Sequence, residues 1–256
     1  MLCNASALEG LTIGAVDGDI GSVESLCFDD ERWTVRYLVV KTGGWFSGRH
    51  VLISPASLHE PDWTNERLPA SLSRAQVQGA PDIDTHRTIS RQHEATFAKH
   101  YGVPYYWAGP SLWGAEPYPL ALDVNGEIER EIQARLEQED PEAAHLHGTD
   151  EIAGYAIHAL DGNIGHVEDF LVDGTTWSIR YLVVDTRNWW PGKRVLIAPD
   201  WLRGVSWEEG TVVVTLTCDT IRHAPEYDAA RPVDREYESA LYAYYDRPRY
   251  WTDRAA

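Results

Sequence analysis

The chain has 256 residues, a formal net charge of -18 and a sequence pI near 4.8. So acidic a chain repels phosphate backbones and anionic lipid surfaces, and no Lys/Arg-rich stripe offsets the charge, which weighs against nucleic-acid binding. No apolar run approaches the roughly 20 residues needed to span a bilayer, and the N-terminus MLCNASALEG has no signal-peptide core, so a cytoplasmic protein without a membrane span is expected.

Cys3, Cys27 and Cys218 are odd in number, widely spaced and outside any metal-type motif, which fits a reducing compartment. Eleven Trp and 13 Tyr stand against 4 Phe. Trp and Tyr join a large apolar area to one polar handle, so they favour half-buried seams and interfaces.

In chain order, the turn dipeptide Asp17-Gly18 separates short apolar runs. The stretch RWTVRYLVV alternates Trp33, Val35, Tyr37 and Val39 with Thr34, Arg36, Leu38 and Val40, the period of a strand. TGGWFSGRH then sets Trp45 and Phe46 in a turn before the apolar strand VLI (51–53). Pro69, among Leu68, Ala70 and Leu72, marks an edge strand, because proline cannot donate to a ladder. Ser90 is a good N-cap for a helix through SRQHEATFAKHY, with Phe97 inward. Residues 108–144 hold Pro110, Pro117, Pro119 and Pro141, a linker composition. Within it, Ile128, Ile132 and Leu136 give a one-sided helix over 126–139, suited to docking on a barrel or a partner helix.

The same text then recurs. DGDIGSVESLCFDDERWTVRYLVVKTGGWFSGRHVLISP (17–55) aligns without a gap on DGNIGHVEDFLVDGTTWSIRYLVVDTRNWWPGKRVLIAP (161–199), an offset of 144 residues (161 − 17). Asp17/Asp161, Gly21/Gly165, Glu24/Glu168, Asp29/Asp173, Trp33/Trp177 and Arg36/Arg180 coincide. At the same offset Arg91 meets Arg235, Glu94 meets Glu238, and YGVPYYW and YDRPRYW place Trp107 on Trp251. The counterpart helix starts at Asp234, with Leu241 inward, and TVVVTLT (211–217) reads as a strand. A long ungapped repeat predicts two copies of one mainly β unit, at 1–107 and 145–256, joined by the linker.

The pattern DGxIGxVE, Asp29 or Asp173, WxxRYLVV and VLIxP resembles the PRC-barrel domain family, and the layout resembles tandem PRC-barrel proteins. The resemblance implies two small antiparallel β-barrels, each followed by a helix. The family includes the cytoplasmic part of the photosynthetic reaction-centre H subunit, where the barrel steers proton and electron transfer, and a ribosome maturation factor. Neither setting supplies a catalytic motif to carry over.

Duplication also tests the chemistry. No histidine or cysteine recurs at the offset, which argues against a repeated His- or Cys-based catalytic or metal site. His145-x-His147 has chelating spacing, but reads better as a surface pair in the linker. The recurring carboxylates Asp17, Glu24, Asp29, Asp161, Glu168 and Asp173, with Arg36 and Arg180, form a candidate structural charge cluster, each arginine pairing with a carboxylate such as Glu24 or Asp29; the alternative is a proton relay. Trp45 and Trp189 are expected to close the barrel ends. Phe46, Trp190, Trp107 and Trp251 are candidates for an interaction surface. No cofactor, metal or catalytic residue is expected. The leading expectation is a non-enzymatic adaptor with protein partners or a second copy of itself. The alternatives are an accessory to photosynthetic or respiratory electron and proton transfer, peripheral to a membrane complex, and an RNA-particle maturation factor, which the charge disfavours.

Overall fold

A computed structural model describes residues 1–43, 48–81, 83, 89–120, 146–187 and 192–252. Trp45, Phe46, Trp189, Trp190, His145 and the helix expected over 126–139 lie outside the described residues. The fold is mainly β, with two sheets. Its strands are β1 (Leu2–Asn4), β2 (Thr12–Ala15), β3 (Gly18–Asp29), β4 (Thr34–Thr42), β5 (His50–Ile53), β6 (Arg67–Pro69), β7 (Leu146–Gly148), β8 (Ala156–Ala159), β9 (Gly162–Asp173), β10 (Ile179–Asp185), β11 (Arg194–Ile197), β12 (Leu202–Ser206) and β13 (Thr211–Val214). Most strands start 144 residues from a counterpart, as β2 does from β8, β3 from β9 and β5 from β11. No described helix is long and apolar enough to cross a membrane.

The chain forms two compact units. The first comprises Met1, Cys3–Glu151 and Val172–Ile179; the second comprises Leu2, Ile152–Leu171 and Arg180–Ala256. In the first, the strand order is β5-β4-β3-β2-β6, with β7 paired to the end of β3 through Cys27↔Gly148, Phe28↔His147 and Asp29↔Leu146. Residues 172–179 complete this unit. Val35 N donates to Trp177 O (2.9 Å), Ile179 N donates to Trp33 O (2.7 Å), and Thr34 bridges Ser178. Trp33 and Trp177 both lie in the left-handed region, with φ of 49° and 59°. That conformation costs a bulky side chain about 1–2 kcal/mol. Packing offsets the cost: Trp33 stacks on Phe28 at 5.1 Å, and Trp177 is buried.

In the second unit the order is β11-β10-β9-β8-β13-β12. Neither sheet is wholly antiparallel, as the resemblance implied. β6 runs parallel to β2, and β13 parallel to β8, because the chain returns through a long connection rather than a hairpin. Pro69 lies in β6, the last strand of its sheet order, where no ladder donor is needed. Its counterpart Val213 pairs with Gly204 of β12. The strand expected over 211–217 ends at Val214, because the Thr217 side chain accepts from Thr220 N and starts the helix Cys218–His223.

β4 is buried from Thr34 to Val40, so both its faces are covered. One cover is the helix Arg91–Tyr101, capped by Ser90 and closed by Gly102 at φ 64°. The helix Arg235–Tyr244 is capped by Asp234, which accepts from Tyr237 N at 2.8 Å. Phe97 and Leu241 are fully buried on these helices, as their spacing predicts.

The glycines of the repeated DGxIGxVE motif are explained by close backbone approach. A Cβ on Gly21 would lie 2.0 Å from Lys41 O, and one on Gly165 (φ +72°) would lie 2.1 Å from Asp185 O. Gly165→Ala therefore forces the backbone of two paired strands apart. It is expected to cost about 3 kcal/mol in urea unfolding. Gly204→Ala, in the same sheet but facing open space, is expected to be near neutral. Equal effects would show that close approach is not what demands glycine at 165.

Candidate functional site

The charged residues expected as one cluster occupy three kinds of position. Only Asp29 partners Arg36: Arg36 is 0% exposed, and its Nε donates to Asp29 Oδ2 at 2.6 Å. The opposite Asp29 oxygen accepts from Arg32 N at 2.7 Å. Arg36 Nη1 donates to Leu112 O at 2.7 Å, and its guanidinium lies 3.9 Å from the Tyr106 ring centre and 4.7 Å from that of Trp113. Burial draws the Arg36 pKa below the ordinary arginine value, and Asp29 opposes that drift.

Glu24 does not reach Arg36. It pairs instead with His50 at 2.6 Å, half-exposed, and stands 4.0 Å from Lys41. Its counterpart Glu168 takes both Nε (2.6 Å) and Nη2 (2.5 Å) of Arg194, a bidentate surface pair, with Arg187 at 3.5 Å. Glu24 and Glu168 lie midway along β3 and β9 and meet cations at the starts of β5 (His50) and β11 (Arg194).

Asp17 and Asp161 are helix anchors. Asp17 Oδ1 accepts from Arg74 N, and Asp161 Oδ1 from Cys218 N, each at 2.7 Å. These are the first residues of the helices Arg74–Gln78 and Cys218–His223. Cations hold the other ends: Arg49 Nη2 donates to Val77 O at 2.8 Å, and Lys193 Nζ donates to Ala224 O. Anion at the start and cation at the end is the arrangement the helix dipole favours. The Cys218 N–H holds the Asp161 carboxyl below the usual carboxylate range. Asp173 accepts from Thr175 N at 3.0 Å, and the Arg180 guanidinium lies 4.3 Å from the Tyr250 ring centre.

The chemistry concentrates on residues outside that expected set. In the first unit, Glu94 projects from the helix Arg91–Tyr101 and is 0% exposed. Arg91 Nη1 donates to Glu94 Oε1 at 3.3 Å and also to the Tyr106 hydroxyl. Tyr37, fully buried on β4, donates to Glu94 as well. Burial pushes the Glu94 carboxyl up to about 7, against the pull of Arg91, the Tyr106 hydroxyl and Arg36, and with a smaller upward push from Asp29.

The second unit carries the same residue types at the equivalent positions. Buried Glu238 accepts on Oε1 from Tyr181 (2.8 Å) and Tyr250 (2.9 Å), while Arg235 lies 2.9 Å from Oε2. The sequence aligned Glu94 with Glu238 and Arg91 with Arg235. The signal that could have exposed them as a site was a glutamate shared by both repeats, three residues before the inward-facing Phe97 or Leu241.

Trp107 and Trp251 belong to the margins of these clusters. Trp107 packs on Tyr105 and Tyr106 with Arg91 over its ring at 4.7 Å. Trp251 packs on Tyr242 and Tyr250 with Arg235 at 4.4 Å. Both are half-buried.

The arrangement can hold and release a proton at Glu94. Among the described residues no three His, Cys, Asp or Glu side chains converge on a metal position. His147 stands between Asp30 (3.7 Å) and Glu151 (3.2 Å). The Cys27 thiol, pushed up to about 12 by burial, is a poor nucleophile.

Because the folded-state Glu94 pKa lies above the ordinary value of 4.5, its contribution to stability is complete below pH 4.5 and is lost as pH rises through about 7. The first unit should lose about 3 kcal/mol across that window in urea titrations. Glu94→Gln should remove this slope, and an unchanged slope would show that another group titrates.

Residues 4–63 match the PRC-barrel domain family. No curated protein matches the chain. The matched segment runs from the end of β1 past β5 and includes Asp17, Glu24, Asp29, Arg36 and Tyr37, so the strand that carries the buried arginine and tyrosine lies within the segment similar to that family.

Proposed function

We propose that the chain is a non-enzymatic interaction or assembly module built from two PRC-type barrels in tandem, which presents equivalent surface points to a protein partner. The PRC-barrel match over 4–63 supports a general module rather than a particular chemistry. The repeated strand positions and the sequence repeat support a second barrel.

One observation carries the adaptor reading. Val16 is 73% exposed and Leu160, 144 residues on, is 63% exposed. Each is held outward by a fixed backbone, since Val16 N donates to Leu72 O and Leu160 N to Leu216 O, both at 2.9 Å. The next residue in each case is the aspartate that anchors a helix. A large apolar side chain displayed on a rigid turn is a suitable anchor for an interface. With a charge of -18, the favoured partner surface is cationic around an apolar centre.

A second reading, an accessory to electron and proton transfer, is favoured by Glu94, whose carboxyl titrates near neutrality inside the first unit.

Affinity purification from the native cell, with an absorption scan, separates the two readings. The adaptor reading predicts a stoichiometric protein partner and no chromophore. It also predicts that the Val16→Asp, Leu160→Asp double variant weakens that complex at least about tenfold with stability changed by less than about 0.5 kcal/mol. Undiminished binding by the double variant contradicts the role of these side chains, and a bound chromophore favours the second reading.

A further inference from the structure

Among the polar atoms that the first unit buries without a hydrogen-bond partner, two of opposite kind lie in one cluster: Arg36 Nη2 and Glu94 Oε2. Both side chains are 0% exposed, so bulk solvent does not reach them. They belong to one connected cluster. The Arg36 guanidinium stacks on Tyr106, the Tyr106 hydroxyl accepts from Arg91, and Arg91 donates to the other oxygen of Glu94. The charge of Arg36 also acts directly on Glu94.

An arginine nitrogen can only donate, and a carboxylate oxygen can only accept unless it is protonated. A ligand that satisfies both must accept at one end and donate at the other. At full burial beside Trp113, it must also be small. We propose that Arg36 Nη2 and Glu94 Oε2 form the two ends of a binding site for a single water molecule, which accepts from the guanidinium and donates to the carboxyl. The Tyr37 and Tyr106 hydroxyl oxygens in the same cluster offer acceptors for its second proton, giving the two to four polar partners typical of a structural water.

Unlike Glu94, its counterpart Glu238 in the second unit has no such requirement. Glu238 receives two tyrosine hydroxyls on Oε1 and Arg235 on Oε2, so both oxygens are already met. The cover over Arg36 also differs from a solvent-open site. Leu112 O accepts from Nη1, and Trp113 covers the guanidinium while its Nε1 donates to Thr176 O at 2.9 Å. Water held beneath this segment exchanges only when the segment lifts, so its residence time is long.

Oxygen-17 relaxation dispersion on the whole chain, with a high-resolution crystal structure of the same protein, tests the site. The expected result is ordered density within hydrogen-bond distance of both Arg36 Nη2 and Glu94 Oε2, and a long-lived water signal. That signal should persist in Glu94→Gln, which keeps a polar atom at this position, and be lost in Glu94→Leu. Direct contact between Arg36 Nη2 and Glu94 Oε2, or a signal unchanged in Glu94→Leu, overturns the proposal. Should Glu94→Leu fail to fold, the wild-type density decides alone: density in that position supports the site, and its absence refutes it.

Discussion

Arg36 sits in the middle of a strand that is buried on both faces, and its charge must be matched inside the protein. Removing an ion from water costs several kcal/mol even after relaxation, so the surroundings have to supply a counter-charge and acceptors in good geometry. Asp29, seven residues earlier on the neighbouring strand, gives the counter-charge at 2.6 Å. The remaining contacts come from distant sequence: Leu112 O, the face of Tyr106 and the face of Trp113. The helix Arg91–Tyr101, the PYYW segment and residues 111–116 are thus held near β4 by the needs of one side chain as well as by apolar burial.

The same demand explains why the chemistry repeated in the two halves is aromatic. Tyrosine and tryptophan rings cover a guanidinium without adding charge, and tyrosine hydroxyls supply donors to a buried carboxylate. Equivalent residues nevertheless reach different balances. Glu238 is met by two hydroxyls and by an arginine whose side chain is more than half exposed, whereas Glu94 is covered more deeply, and its Oε2 has no protein donor. One repeated motif thereby yields one satisfied carboxylate and one held near its protonation midpoint at neutral pH.

Features governed by local pattern were legible in the sequence. The caps Ser90 and Asp234, the inward Phe97 and Leu241, and the strand through RYLVV follow from short-range rules. The pairing of Asp29 with Arg36 was among the options the charges suggested. What the sequence hid were partners without a side-chain signature. Asp17 and Asp161 bind backbone N–H groups 57 residues away, so nothing in the charge pattern separates them from Glu24 or Glu168. The parallel placement of β6 and β13 depends on how a long connection returns, which periodicity does not encode. Glu94 reads as an ordinary polar helix residue until tertiary packing sets Tyr37 and Tyr106 against it.

A double-mutant cycle on Asp29 and Arg36, read by urea unfolding, tests the dependence on the buried arginine most directly. Asp29→Leu should cost about 3–5 kcal/mol by leaving the guanidinium uncompensated, and Arg36→Met a similar amount by leaving the carboxylate buried. The double variant should be far less destabilised than the sum of the two. Single losses below about 1 kcal/mol that simply add would contradict the account.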